Sequence, residues 1–424
     1  MLFPTLLVAL CVASVNPGDA VSPPVAGVPD EGWVFHESWS AQDRREMMEV
    51  AGEVESLLRE ADEWVDTGSF EARFWHLIAP AVRRDVVAMV RETARTGDVR
   101  LESSNRMSLL WCAMFTGHRE LARSLVLRGA DVNARCLIVC PPIGEKDILA
   151  EGESPFGMAF SPFPGGSAAY AGAEVELVRL MLDHGAMIEP SPGMPYSYLE
   201  QALIFSGVRG WKGVDIADLL LERGALIHPE EAGKVMMCAV RSGSVRIVQE
   251  LMERGVDINS KYDGAPVWAA VNFRQPHSVA MLQWLLDHGV DTSLEGVPAF
   301  YGGSASHPFL FHLVERSVAL RDGEVRLHEG VQERALAMAD AFLKKEGDVD
   351  CVSNRKTPLF VCCERLGGQS RPGDFAVRMA RLMLDHGADA SFAPCSAENR
   401  ELMSGRLDAV PQGVRDVLPE LWRK

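Results

Sequence analysis

Residues 108–134 read SLLWCAMFTGHRELARSLVLRGADVNA. A small polar residue, Ser108, opens a run of small and apolar side chains, Gly117-His118 interrupts it, and an amphipathic stretch follows that ends at Gly129. Only glycine enters the left-handed conformation just past a helix end without a Cβ penalty, so Gly129 reads as a helix stop from which the chain turns sharply away. The distance from Ser108 to Gly129, 129 − 108 = 21 residues, suits two short helices and a turn.

The closing string recurs along the chain: LVLRGADVN (125–133), LMLDHGAMI (180–188), LLLERGALI (219–227), LMERGVDIN (251–259), LLDHGVDTS (285–293) and LMLDHGADA (382–390). FLKKEGDVD (342–350) is a shifted copy with Glu346 in the glycine slot, and VRETARTGDV around Gly97 is a weaker one. Upstream lies a second shared string, from a small polar residue or Pro pair into small apolar residues: SLLWCAM (108–114), SPFGMAF (154–160), SYLEQAL (197–203), KVMMCAV (234–240), APVWAAV (265–271), HPFLFHL (307–313) and TPLFVCC (357–363).

With its start string, the Gly-His between helices and the Gly-Ala-Asp-Val-Asn close, the chain resembles the ankyrin repeat family, whose unit of about 33 residues is a pair of antiparallel helices. The resemblance implies an all-α solenoid of helix-turn-helix units with irregular insertions. The offset from start string to closing glycine is 21 in two repeats and lengthens to 24, 27, 30, 31 and 39 in the others, the surplus falling in stretches such as SPFPGGSAAYAG and LGGQSRPGD. Those read as longer inter-helix loops. About seven repeats are expected over 104–392. Before them, 33–103 reads as a helical N-terminal region with a degenerate capping repeat, and 393–424 as a helical C-terminal cap, since a solenoid end must be polar on its outer side.

Residues 1–20 open with the uncharged run MLFPTLLVALCVASV, too short to span a bilayer of roughly 30 Å, and read as a signal peptide; 21–32 read as a Pro-rich linker. Export to the periplasm or the exterior is expected, with no membrane span after cleavage. Lipid anchoring at Cys11 is not expected, because Leu10 stands where a small residue is needed. Cleavage leaves eight of nine cysteines. Cys112, Cys238, Cys362 and Cys363 lie in apolar helical stretches as small hydrophobes. Cys136 and Cys140, in a loop four residues apart, could close a small disulfide ring.

Catalytic chemistry has no constellation to rest on. The sequence lacks a Gly-rich phosphate loop, H-E-x-x-H, G-x-S-x-G and an EF-hand loop, so no catalytic residue, cofactor or metal is assigned. His184, His288 and His386 recur as D-H-G at helix ends, where a histidine meets the negative end of the helix dipole and bonds the last carbonyls. His312 occupies a slot where the family has alanine, and reads as a satisfied core histidine. Glu53, Glu55, Glu60, Asp62 and Glu63 read as a solvated face. The formal charge of −17, from 59 acids against 42 Lys and Arg, opposes a nucleic-acid or anionic-lipid partner.

A protein partner is what the resemblance implies, gripped through the concave face of the array and its extended loops. Its contact slots, the hairpin tips and the end of each first helix, carry over to Met107, Phe115, Thr116, Tyr196, Ile204, Phe205, Arg241, Tyr262, Asn272 and Phe273. Five of these are aromatic, the kind of side chain that dominates binding energy. Two loops, 136–149 and 296–308, are longer than a hairpin tip requires. The alternative reading puts an enzyme or effector activity in the N-terminal helices or the long inserts, with the repeats presenting it.

Overall fold

The computed structural model describes residues 32–62, 80–140, 148–151, 154–160, 175–189, 197–204, 213–260, 266–270, 275–293, 308–319, 330–345, 347–366, 368 and 370–422. The leader and most of the linker lie outside these residues, as does loop 296–307. The chain divides into two compact units, one ending at Leu226 and one starting at Ile227.

In the first unit, α1 (Ala41–Asp62) and α2 (Pro80–Thr96) precede three helix pairs: α3 (Leu109–Thr116) with α4 (Arg119–Leu127), α5 (Pro155–Met158) with α6 (Val175–Asp183), and α7 (Tyr198–Ile204) with α8 (Gly213–Glu222). The second unit holds α9 (Ala232–Ser242) with α10 (Val245–Glu253), α11 (Pro266–Ala270) with α12 (Ser278–Asp287), α13 (Phe309–Ala319) with α14 (Val331–Lys345), and α15 (Pro358–Cys363) with α16 (Phe375–Asp385). It closes on α17 (Ala397–Leu407), α18 (Gln412–Val417) and a 3₁₀ turn at Pro419–Trp422.

Every start string falls in a first helix, and in four repeats the reason is local. Ser108, Ser154, Ser197 and Thr357 each accept, through the side-chain oxygen, the backbone N–H three residues on, at 3.0 to 3.2 Å. Such a cap satisfies one of the donors a helix start leaves orphaned. The closing glycines behave as helix stops: Gly97, Gly129, Gly185, Gly224, Gly255, Gly289, Gly347 and Gly387 all have φ between 64° and 89°. In the shifted copy it is Gly347, one place on from the Glu346 slot, that turns the chain.

Helices stack in two rows within each unit. First helices pack on first helices (α3 on α5, α9 on α11, α13 on α15) and second on second (α4 on α6 on α8, α12 on α14 on α16). The first row is apolar all round because it has neighbours on every side: Leu109 through Phe115 are all buried. Aromatic contacts bind successive repeats there. Phe156 and Phe160 meet Tyr198 at 5.4 and 4.9 Å, and Trp268 meets Phe309 at 5.0 Å. Burying each such ring is worth about 1.5–3 kcal/mol. His312 sits in this row edge-on to Trp268 at 5.2 Å, as a core histidine.

At four glycine slots, the side chain four residues on fixes the register to the next repeat through a hydrogen bond. Asn133 accepts the Met187 N–H and donates to the Gly185 carbonyl, both at 2.9 Å. Glu189 accepts from Leu226 N–H at 3.4 Å, Asn259 from Asp291 N–H at 2.8 Å, and Asp350 from Asp389 N–H at 3.0 Å.

One insert departs from the expected loop. Leu137–Cys140 (β1) and Ile148–Glu151 (β2) pair antiparallel, Leu137 opposite Glu151 and Cys140 opposite Ile148, so the helical fold carries a two-stranded ribbon. Its residues, LIVC and ILAE, are apolar and partly β-branched, suited to a pleated surface. The ribbon also tells against the Cys136–Cys140 ring. An extended run advances about 3.3 Å per residue, so Leu137–Cys140 alone spans about 10 Å, whereas a disulfide holds its Cα atoms within about 7 Å.

Gly243, which ends α9 at φ 80°, tests the turn geometry. The His277 ring lies over it, and an added Cβ would come within 2.2 Å of that ring; around Gly129, at φ 86°, there is nothing within 4 Å. Alanine at either site carries the left-handed penalty of about 1–2 kcal/mol. Gly243→Ala also has to displace His277, so its urea midpoint should fall further than that of Gly129→Ala; equal shifts would contradict the packing described.

Candidate interaction surface

The expected contact residues divide into buried, half-buried and undescribed. Met107 and Phe115 are corrected: both are buried. Phe115 stacks on Trp111 at 5.2 Å inside the first-helix row, where α1 and α2 pack against α3. Met107 is enclosed where the 103–107 turn folds back, its carbonyl accepting Ser103 N–H at 2.9 Å. Thr116 is half-buried and donates to the Cys112 carbonyl at 2.9 Å. Ile204 and Arg241 are half-buried, Arg241 reaching Cys238 Sγ at 3.6 Å. Tyr196, Phe205, Tyr262, Asn272 and Phe273 lie outside the described residues.

Exposed apolar side chains gather elsewhere. Leu127, Met187 and Leu226 are 62%, 51% and 60% exposed, and all three belong to the first unit. Each stands in a slot that most other repeats fill with an acid. Two residues before the glycine, Leu127 replaces the Asp or Glu seen as Asp183, Glu222, Glu253, Asp287 and Asp385; two residues after it, Met187 and Leu226 replace Asp131, Asp257, Asp291 and Asp389.

Those acids have identifiable work. Asp131, Asp257, Asp291 and Asp389 each accept, through Oδ1, the backbone N–H two residues on at 2.8–2.9 Å, which tightens the turn after the helix. The acid before the glycine bridges repeats: Asp183 meets Arg223 of the next repeat at 2.7 Å, and Asp287 meets Lys345 at 3.1 Å. Between α4 and α6 the same two slots hold Leu127 and His184, and an ion pair is replaced by an exposed leucine. The repeat-by-repeat comparison of closing strings contains this signal; ranking residues by aromatic character missed it. Val34, Val352 and Leu402 are also exposed but fall outside these slots, and single exposed apolar side chains are ordinary.

The remaining titratable groups serve structure. His184 and His288 bond the carbonyl four residues back, at 2.9 and 2.7 Å, as expected of a helix-end histidine, while His386 turns to Asp340 at 3.0 Å. Among the described residues no group of three or more His, Cys, Asp or Glu side chains could hold a metal ion, and no helix is long and apolar enough to cross a membrane. Glu53 is corrected: it does not belong to a merely solvated face, because its carboxylate lies 3.3 Å from His118. The side chains of Glu60, Asp62 and Glu63 lie outside those described.

Comparison with known proteins places the first repeat. Residues 105–137 match the ankyrin repeat family. This chain therefore carries an ankyrin repeat there, and the pairs that follow it are likewise two helices closed by a left-handed glycine. Among solved structures, the human ASB11 ankyrin repeat domain is 21% identical, with 57% of this chain and 86% of that one covered at a TM-score of 0.32. The ankyrin repeat domain of Bcl-3, an IkappaB family member, is 19% identical, covering 59% and 92% at 0.35. EF0377, an ankyrin repeat protein, is 17% identical, covering 52% and 96% at 0.33. No curated protein matches.

Burial sets the chemistry of the thiols. It pushes Cys112 and Cys351 up to about 12, and Cys362 and Cys363 higher still. The thiolate is the reactive form, so at pH 8 only about one Cys112 in ten thousand is reactive at any moment. Iodoacetamide followed by site-resolved mass spectrometry should leave these four unmodified in the folded chain and label all four in urea. Labelling of the folded chain at any of them would contradict their burial.

Proposed function

We propose that this protein is a non-catalytic interaction scaffold and that its first unit binds a protein partner through the exposed row of Leu127, Met187 and Leu226. Ankyrin repeats serve as protein-interaction modules. The observation that carries the placement is the replacement of an acid by an exposed apolar side chain at three positions in three consecutive repeats. At Met187 and Leu226 the replacement gives up a turn-stabilising hydrogen bond that the other repeats keep, so local stability does not account for it. Acids nearby, among them Asp131, Asp183 and Glu222, favour a partner whose apolar contact is flanked by Lys or Arg.

Restoring the acids tests this reading without unfolding the chain. Met187→Asp and Leu226→Asp rebuild the turn bond present in the other repeats, and Leu127→Asp rebuilds a bridging slot opposite His184. The triple variant should keep its thermal midpoint. Its capture of partner proteins from a native extract should drop more than tenfold, since fully burying one leucine contributes about 1.5–3 kcal/mol. Unchanged capture would remove this surface from consideration. The alternative, an enzyme or effector activity in the N-terminal helices or long inserts, has no specific observation in its favour.

We further propose that the protein acts after export, on the strength of the uncharged apolar leader at 1–20. The mature chain isolated from its source should begin near residue 21, as read by N-terminal sequencing. An intact Met1 on the native protein would refute cleavage.

A further inference from the structure

Two polar contacts fasten α1 and the segment before it onto α4, one at each end of that helix. At the C-terminal end, Arg128 donates to Ser38 Oγ at 3.1 Å, lies 4.2 Å over the Trp39 ring and stands 3.9 Å from Asp43. At the N-terminal end the groups from α1 are Glu46, Glu49 and Glu53, spaced three and four residues apart and therefore on one helix face. Glu46 Oε2 accepts the Leu121 N–H at 2.9 Å, so an orphan donor at the start of α4 is capped by another helix. His118, whose own side chain makes no cap bond, presents Nε2 to Glu53 Oε1 at 3.3 Å and Nδ1 to Glu49 Oε2 at 3.8 Å. Its side chain is only 14% exposed.

Both ring nitrogens of His118 thus face carboxylate oxygens. A neutral imidazole has one donor and one acceptor, and would turn a lone pair toward one of the two acids; only the imidazolium presents an N–H to each, hydrogen-bonding Glu53 and facing the charge of Glu49. We propose that α1 is a protonation-dependent cap: the His118 imidazolium, held between Glu49 and Glu53, docks α1 on α4, and loss of its proton loosens α1 from the repeats.

The surrounding carboxylates favour the protonated form of His118. Burial by itself lowers its affinity for a proton, but the bond to Glu53 and the charges of Glu53, Glu46 and Glu49 together outweigh burial and raise it above the ordinary 6.5. From α3 the one titratable group is the Cys112 thiol, pushed up to about 12 by burial and neutral throughout. On α4, Glu120 lies 3.9 Å from Arg123, and Arg119 adds a fixed positive charge; on α6, packed against α4, Glu176 lies 4.0 Å from Arg179 and Asp183 pairs with Arg223. On α2, packed against α1 and α3, Glu92 pairs with Arg95, Asp85 accepts Ser104 N–H at 2.7 Å, and Arg91 lies 5.6 Å from the Trp33 ring.

Because the docked group binds its proton more tightly, docking is full below about pH 6.5 and is lost as pH rises through the raised value. The docking constant falls tenfold for each unit of elevation. Two measurements on the full chain check this against each other. The His118 pKa is read by NMR of histidine-labelled protein, assigned with His118→Gln, and hydrogen exchange of α1, corrected for intrinsic rate, is followed from pH 6 to 9 with α12 as internal reference. The expected result is a pKa above 6.5 and a loss of α1 protection by the matching factor, with α12 flat. His118→Gln should make α1 protection independent of pH, and Glu53→Gln, which keeps the imidazole, should lower the pKa and move the loss to lower pH. Protection of α12 reports that each variant is folded. A His118 pKa at or below 6.5, α1 protection that does not change with pH, or the same pH dependence in His118→Gln would each overturn the proposal.

Discussion

One hydrogen bond, repeated, sets how these helix pairs meet. Apolar burial holds first helices to first helices, but it has no direction and would tolerate a slip along the helix axis. The side chain four residues past four of the glycine slots, Asn133, Glu189, Asn259 or Asp350, removes that freedom by accepting a particular backbone N–H of the next repeat. The bond can form only because the left-handed glycine has already turned the chain out of its helix and laid the following residues across the neighbour's. Serine and threonine caps at the other end of four repeats do the complementary job of starting the first helix at a fixed residue.

Within that frame the outer positions are released from structural duty, and their chemistry becomes informative. Every closing string has an acid on at least one side of its glycine slot, and several of these acids close a turn or bridge to the next repeat. The three exposed apolar exceptions fall in three consecutive repeats of the first unit, where surface free energy alone would favour the acid. That concentration is what supports the proposed docking surface, in a chain of formal charge −17. The N-terminal helix follows a different logic. Met47, Val50 and Val54 bury its apolar face, and charged groups add a contact at each end of α4, one of which depends on the His118 proton and is weakened when that proton is lost.

Much of the repeat architecture was legible because it is written in local code. Glycine at a helix stop, serine or threonine at a cap and proline in a first turn act over three or four residues, so their positions in the string are their positions in the fold. The helix-end histidines His184 and His288 were readable for the same reason. Non-local burial was not. Met107 and Phe115 occupy slots that are open in a repeat taken alone, and they are enclosed here by α1 and α2 and by the 103–107 turn, none of which a single repeat contains. The 137–151 ribbon was read as a loop because two four-residue strands give too little alternation to register.

The sequence by itself determined the repeat unit and the glycine stops of its second helices, since both depend on backbone preferences of residues adjacent in the chain. It also held, in the aligned closing strings, the substitution of Leu127, Met187 and Leu226 for acids. Only the tertiary structure decided which side chains reach solvent and which acids are partnered. Glu53 and His118 are 65 residues apart in the chain, and nothing in either neighbourhood announces the other. Their meeting depends on where α1 comes to rest against the first repeat, a matter of packed surfaces that no local pattern encodes.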